Sequence, residues 1–183
     1  MTLDAIIEAV GVTVRIAATA SDYRFIRHLS RIESAAVGFL GNRYENPKPS
    51  DYCLIVERNG DPVGYAYGST PVGRPARVWQ IAVRQDARFL EHGQALVQAI
   101  ERLAERAGTT TISARCAQEL PSNAFWQAED FACVAIARGQ VGDGYAKNGR
   151  TLNVWVKDKA PLLIPRDGEA VIMGGRRSRS SGP

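Results

Sequence analysis

The sequence predicts a single α/β domain in which helices cover both faces of a mixed, mostly antiparallel sheet. Three observations predict it. Asn59-Gly60 lies between two strand-like runs and marks a tight antiparallel hairpin. The stretch from Arg77 to Arg115 reads strand, helix, strand, an order that commonly sets two strands parallel. The 183 residues, 45% hydrophobic and 23% charged, suit one core that needs neither disulfides nor a structural metal.

Thr2 to Val10 carries Leu3, Ile6, Ile7 and Val10 at helical spacing and stops at Gly11, which predicts a short N-terminal helix over residues 1–10. Val12, Val14 and Ile16 alternate with Thr13 and Arg15 as in a half-buried strand. Ser21 or Asp22 is the expected cap of a helix bearing Phe25, Ile26, Leu29 and Ile32. Ala35 to Pro49 is broken by Gly38, Gly41, Asn42, Pro47 and Pro49, so a short helix and then a loop are expected.

The hairpin pairs Tyr52–Glu57 with Pro62–Tyr67 through the positive-φ turn that Asn-Gly supplies. Arg77–Val83 is the next strand, with Trp79, Ile81 and Val83 expected on one face, and it runs into a polar loop, Arg84–His92. Leu96, Val97, Ile100, Leu103 and Ala104 form one helical stripe between Gly93 and Ala107, closed by Gly108. Thr109–Arg115 is β-branched, Pro121 and Ser122 open a helix holding Phe125 and Trp126, and Phe131–Ala137 and Thr151–Val156 complete the strands. Residues 11–157 thus form the body. A basic tail, 158–183, follows, with expected mobility and with Leu162–Ile164 and Val171–Met173 as clusters able to pack on the body or on a second subunit.

Composition excludes several functions. The three cysteines, Cys53, Cys116 and Cys133, form no CxxC pair, so a disulfide framework or zinc ribbon is not expected and a reducing, cytoplasmic setting is. His28 and His92 are the two histidines, too few for an obvious metal centre. No window supplies the continuous apolar run of a membrane span, and Asp4 and Glu8 precede the first positive charge, Arg15, unlike a signal peptide. From Lys157 onward six Lys or Arg stand against three acids, which carries most of the net +4 and leaves the body nearly neutral.

A strand that feeds a polar loop and then a long helix is an anion site by construction, because the first helical turn has unpaired N–H groups at the positive end of the dipole. Val83, the Arg84–His92 loop and Gly93 form that junction. Arg88-Phe89-Leu90-Glu91-His92-Gly93 resembles the donor-binding loop of the GNAT acyltransferase superfamily, Gln/Arg-x-x-Gly-x-Gly/Ala, at Arg88 and at the last glycine. The run Ser122 to Phe131 is similar to the family's segment of asparagine, phenylalanine, tyrosine or tryptophan and a closing Gly-Phe. Arg150, Leu152, Asn153, Val154 and Trp155 match an Arg-x-Leu-Asn-Val-Trp strand that ends some of its uncharacterised members. The likeness covers about residues 12 to 157.

The resemblance implies an N-acyltransferase, acetyl-CoA or another acyl-CoA as co-substrate, no metal, and direct attack by a small-molecule or protein amine. It implies that main-chain groups of Ile81 and Val83 meet the pantetheine arm. Arg88, Phe89, Glu91, His92, Gly93, Gln94 and Ala95 would wrap the diphosphate, and Asn123 would hold the arm or a nearby carbonyl. A donor near Ile81 would polarise the acetyl carbonyl. Three positions depart from the family pattern. Glu91 replaces the mid-loop glycine, Trp126 replaces the tyrosine proposed to protonate the leaving thiolate, and Gln80 replaces a carboxylate often used as base. Tyr65, Tyr67, Glu33, His28 and His92 are the candidates to fill those roles, with His92 read rather as a phosphate-side contact. Two other readings stay open: a nucleic-acid-associated, base-modifying relative held by the basic tail, and a degenerate binding domain without chemistry. A homodimer is also compatible with the tail's apolar clusters.

Overall fold

The computed structural model describes residues 7–9, 11–33, 47–88, 91–138 and 150–158. The elements in order are β1 (Ile7–Ala9), β2 (Val12–Ile16), α1 (Ala20–Ile32), β3 (Asp51–Arg58), β4 (Asp61–Ser69), β5 (Ala76–Val83), a 3₁₀ turn (Gln85–Ala87), α2 (His92–Arg106), β6 (Thr111–Ala117), α3 (Asn123–Ala128), β7 (Ala132–Arg138) and β8 (Thr151–Asp158). They build one eight-stranded sheet in the order β1-β2-β3-β4-β5-β6-β8-β7. Its pairs are antiparallel except β5 with β6. The α/β architecture expected from the sequence is therefore the one observed.

The two faces carry separate cores. Alternation on β3 sends Tyr52, Leu54 and Val56 to one side, where they meet Leu96, Val97 and Ile100 of α2. Cys53 and Ile55 go to the other side and meet Ile26 and Leu29 of α1, with Tyr65, Tyr67 and Ala82. The hairpin turn is as expected: Asn59 and Gly60 take φ of 51° and 84°.

Three expectations need correction. Ile7–Ala9 is a strand paired with Val12–Val14 and not part of a helix, because Gly11, at φ 75°, reverses the chain. The remainder of the predicted N-terminal helix, most of the Ala35–Pro49 stretch, Phe89 and the tail from 159 lie outside the described residues. The cap of α1 is Thr19 and not Ser21 or Asp22; Asp22 sits three residues on and closes a capping box, a Thr-x-x-Asp signal.

Last, Trp79 does not share a face with Ile81 and Val83. The register of β4 against β5 slips between Tyr67 and Gly68, since Tyr67 faces Gln80 and Gly68 faces Val78, leaving Trp79 as the extra residue of a bulge. The bulge turns Trp79 to the α1 side, edge-on to Tyr67 at 4.9 Å between ring centroids, while Ile81 and Val83 pack on the α2 side.

Candidate active site

The parallel seam between β5 and β6 is short: Ala76, Arg77 and Val78 pair with Ile112, Ser113 and Ala114, and beyond them the strands diverge. The gap opens a crevice of about 810 Å³, lined on one wall by Trp79 to Val83 and on the other by Arg115 to Ala117, Leu120, Phe125 and Trp126. The crevice edge of β5 is main chain. The Arg84 N–H bonds Val63 O on β4, so the period of two turns the N–H and C=O of Val83 and Ile81 the other way, into the gap. An extended, amide-bearing ligand laid there would complete the ladder that β6 abandons.

The start of α2 faces the same gap. Ala95 N–H donates to Glu91 O at 2.9 Å and is the first bond of the helix, so the N–H groups of His92, Gly93 and Gln94 have no intrahelical acceptor and Ala95 has none to offer. Gly93 and Gln94 line the crevice. A Cβ on Gly93 would lie 2.8 Å from Phe125 Cε2, so this position admits no side chain while α3 packs as it does. Glu91 precedes the helix with φ 61°, the left-handed region that glycine favours, and its side chain makes no capping bond.

The predicted site residues divide. Gln80, Ile81, Val83, Arg88, Glu91, Gly93, Gln94 and Trp126 line the crevice, as does Glu33 at the end of α1. Arg88 pairs with Glu33, and its Nε donates to Val83 O at 3.1 Å, so in this structure its charge is directed to protein groups. Gln80 is 3% exposed and accepts at Oε1 from the Tyr65 hydroxyl at 2.9 Å, which brings two of the sequence candidates into one buried pair. Tyr65 stands behind Gln80 and outside the lining.

Tyr67 is buried and donates to Asp51 Oδ2 at 3.4 Å, and His28 is exposed on α1, so neither lines the gap. His92 is 2% exposed, with Nδ1 donating to Ala87 O at 2.9 Å. Burial beneath the loop takes its ring away from the phosphate side expected of it and leaves its main-chain N–H at the helix start.

Asn123 is likewise engaged within the protein. Its Nδ2 donates to Ala117 O and Leu120 O at 2.8 Å and Gln118 O at 3.2 Å, and its Oδ1 accepts from Asn153 Nδ2 and Trp155 Nε1 at 3.0 Å each. That geometry gives the Asn-Val-Trp portion of β8 a physical meaning: alternate residues reach one amide and fix the turn after β6. Arg150 Nε meets Glu119 Oε1 at 2.6 Å on the same turn.

The sequence reading missed Arg115, Cys116 and Ser122. Cys116 Sγ is 3.2 Å from Ser122 Oγ, and its thiol also takes a hydrogen bond from Trp126. Burial pushes the thiol up, which keeps it protonated at neutral pH. The signal was the alternation of β6 itself: Ile112, Ala114 and Cys116 lie toward α2, leaving Arg115 on the other face.

A sheet that splits beside the start of a helix is the donor-site geometry implied by the sequence resemblance. The acetyltransferase (GNAT) family model matches residues 22–131. The chain belongs to that family. The GNAT sheet is also shared with the ribosomal-protein-S18-alanine N-acetyltransferase of Escherichia coli, at 17% identity, covering 84% of this chain and 99% of that one with a TM-score of 0.63. The Salmonella typhimurium acetyl transferase that modifies the N-terminal serine of ribosomal protein L7/L12 superposes with a TM-score of 0.70 at 11% identity, over 86% and 100% of the two chains. The Salmonella typhimurium protein yncA, solved with its cofactor acetyl-CoA, gives 0.63 at 20% identity over 86% and 99%. No curated protein sequence matches the chain. Within a GNAT enzyme the crevice residues suit an acyl-CoA: open main-chain groups for the amides of its arm and a helix start for its phosphates. Among the described residues no helix is long and apolar enough to cross a membrane.

Proposed function

We propose that this protein moves an acetyl group from acetyl-CoA to an amine held at the closed end of the crevice. The observation that carries the reading is the split between β5 and β6, which leaves the main-chain groups of Ile81 and the N–H of Val83 turned into the gap beside the free N–H groups of α2, while the Val83 carbonyl is held by Arg88. In the reaction the amine nitrogen forms a bond to the thioester carbonyl carbon, the carbon–sulfur bond breaks, the nitrogen loses a proton and the departing thiolate gains one. Ile81 N–H is the donor placed to stabilise the carbonyl oxygen as charge builds on it. Gln80, fixed by Tyr65, orients the acceptor by hydrogen bonding and leaves proton removal to water, since an amide is no base near neutrality.

Trp126 walls the sulfur end and donates to Cys116, whose protonated thiol, 3.2 Å from Ser122 Oγ, lies in that wall as a proton donor for the departing thiolate and regains its proton from the water that takes the amine's. Most of the rate enhancement then comes from positioning and carbonyl polarisation, with no covalent enzyme intermediate. The three free cysteines suit the reducing cytoplasm in which we place the reaction. The nucleic-acid and homodimer readings do not enter, because the tail that motivated them lies outside the described residues.

Acetyl-CoA at 1 mM should raise the melting temperature by several degrees, and desulfo or dephosphorylated fragments should do so less. Mass-spectrometric detection of an amine acetylated only with enzyme present would complete the case. Absence of any thermal shift with acetyl-CoA and CoA alike would overturn it.

A further inference from the structure

The open face of the sheet carries a charge pattern that the acyl-transfer reading leaves unexplained. Ala76 and Val78 belong to the core on the α2 side, and so do Ile112, Ala114 and Cys116. Arg77 and Arg115 therefore project from the opposite face, the α1 side, on two strands paired in parallel with Arg77 beside Ser113. Arg115 is one step beyond the last seam pair, where the crevice closes, and it lines the gap. α1 packs chiefly over β4, and both arginines are exposed.

Neither arginine makes an ion pair with any described residue. The other charges of the crevice are accounted for or lie elsewhere. Glu33, on the α1 side, is paired with Arg88, and Glu119 is paired with Arg150. Glu91 and Glu129 line the α2 and α3 side. Arg115 in the crevice wall and Arg77 beside it on the seam thus have no counter-charge among the described residues, while Gln80, neutral and fixed, replaces any acid that would draw an ammonium there.

Resting on the acyl-transfer reading, we infer that the acceptor is an amine bearing an anionic group, a carboxylate or a phosphate, and that Arg115 with Arg77 binds that group on the open face beside the crevice. A planar guanidinium matches either anion with two parallel hydrogen bonds, and a second arginine about 8 Å away along and across the strands reaches the same group from the side. The same field repels polycationic acceptors. Arg115 here is a specificity residue; it need not touch the reacting atoms.

Matched probes test this on the full chain with saturating CoA. Phosphoethanolamine and β-alanine should raise the melting temperature of the CoA-bound protein, whereas ethanolamine and β-alaninamide should not, and the two anionic arms tell phosphate from carboxylate. In parallel, inorganic phosphate should protect Arg115 from phenylglyoxal, read by peptide mass spectrometry. With acetyl-CoA, the anionic member of each pair should be acetylated with a kcat/KM at least about tenfold above its neutral partner, and spermidine should rank last.

Arg115→Ala should abolish the preference and leave the acetyl-CoA affinity unchanged, with Arg115→Lys in between. Equal response to anionic and neutral partners, or an Arg115→Ala variant that keeps the preference, overturns the inference. So does a variant that loses acetyl-CoA affinity instead, since the arginine would then serve the donor. If acetyl-CoA fails to bind while phosphate still protects Arg115, the transferase reading falls and the anion site stands.

Discussion

Glu91 concentrates two opposing effects in one side chain. A non-glycine residue in the left-handed region costs about 1 kcal/mol, while a carboxylate at a helix start returns about 0.3–1 kcal/mol through the dipole. Glu91→Gly should therefore shift stability by less than about 1 kcal/mol, because glycine also adds entropy to the unfolded chain. Ligand binding separates the effects. Glu91→Gln keeps the backbone strain and removes only the charge, so the tightening of acetyl-CoA binding that it brings, several-fold as read by titration calorimetry and smaller at high salt, isolates the electrostatic effect from the backbone effect that Glu91→Gly adds. If the glutamine variant binds no better than the parent, the carboxylate points away from the diphosphate.

Residues also show where reading the chain fell short. The crevice-lining positions Gln80, Ile81, Val83, Arg88, Glu91 and Gly93 were legible because a strand, a loop and a helix start follow one another in sequence. Arg115 and Cys116 were not, since they reach the gap only through the parallel pairing of strands separated by a whole helix. His92 was misplaced because spacing in a loop says nothing about which side chains turn inward.

Among the elements, β4 and β5 depend on a bulge that the pattern of apolar residues could not reveal. One extra residue at Trp79 inverts the alternation, and Gly68 is the position that admits it. A Cβ on Gly68 would sit 2.0 Å from Arg77 O and 2.3 Å from the Tyr52 hydroxyl, which donates to that same carbonyl. Gly68→Ala should cost at least about 3 kcal/mol in urea unfolding; should the protein not fold at all, Tyr52→Phe, which removes only the hydroxyl, should cost about 1 kcal/mol and show that the contact is real.

The start of α1 carries a pH dependence. Asp22 accepts from Arg15 at 2.7 and 2.9 Å and from the N–H groups of Ala18 and Thr19 at 2.9 Å. The Arg15 hydrogen bonds come first among the causes that hold its carboxyl well below the usual range. A depressed carboxyl is protonated more readily in the unfolded chain, so its stabilisation is complete above about pH 4 and fades as pH falls toward the folded value. Asp22→Asn should flatten the loss of melting temperature below pH 4 and cost about 2 kcal/mol at pH 7. An unchanged acid limb would assign the transition to other carboxylates.

At the scale of the molecule, the hairpin at Asn59-Gly60, the helix stripe from Gly93 and the mixed sheet were all readable, because each rests on local periodicity or a turn. The strand order was not, since β8 enters between β6 and β7 by a long-range return. What matters for function is that the sheet is two antiparallel blocks joined by the short β5–β6 seam. Acetyl-CoA lying in the split should slow hydrogen exchange at Ile81 and Val83, and at β6 across from them, more than anywhere in β2 or β3. Protection confined to α2 would mean that only the phosphates are held.

The seam has a mechanical consequence. A slab stitched at three adjacent residue pairs and free beyond them has one compliant line, and that line runs through the crevice. Pulled apart from its two ends by an optical trap, the chain should part there first. The force at which it does so becomes a gauge of whatever ligand bridges the gap.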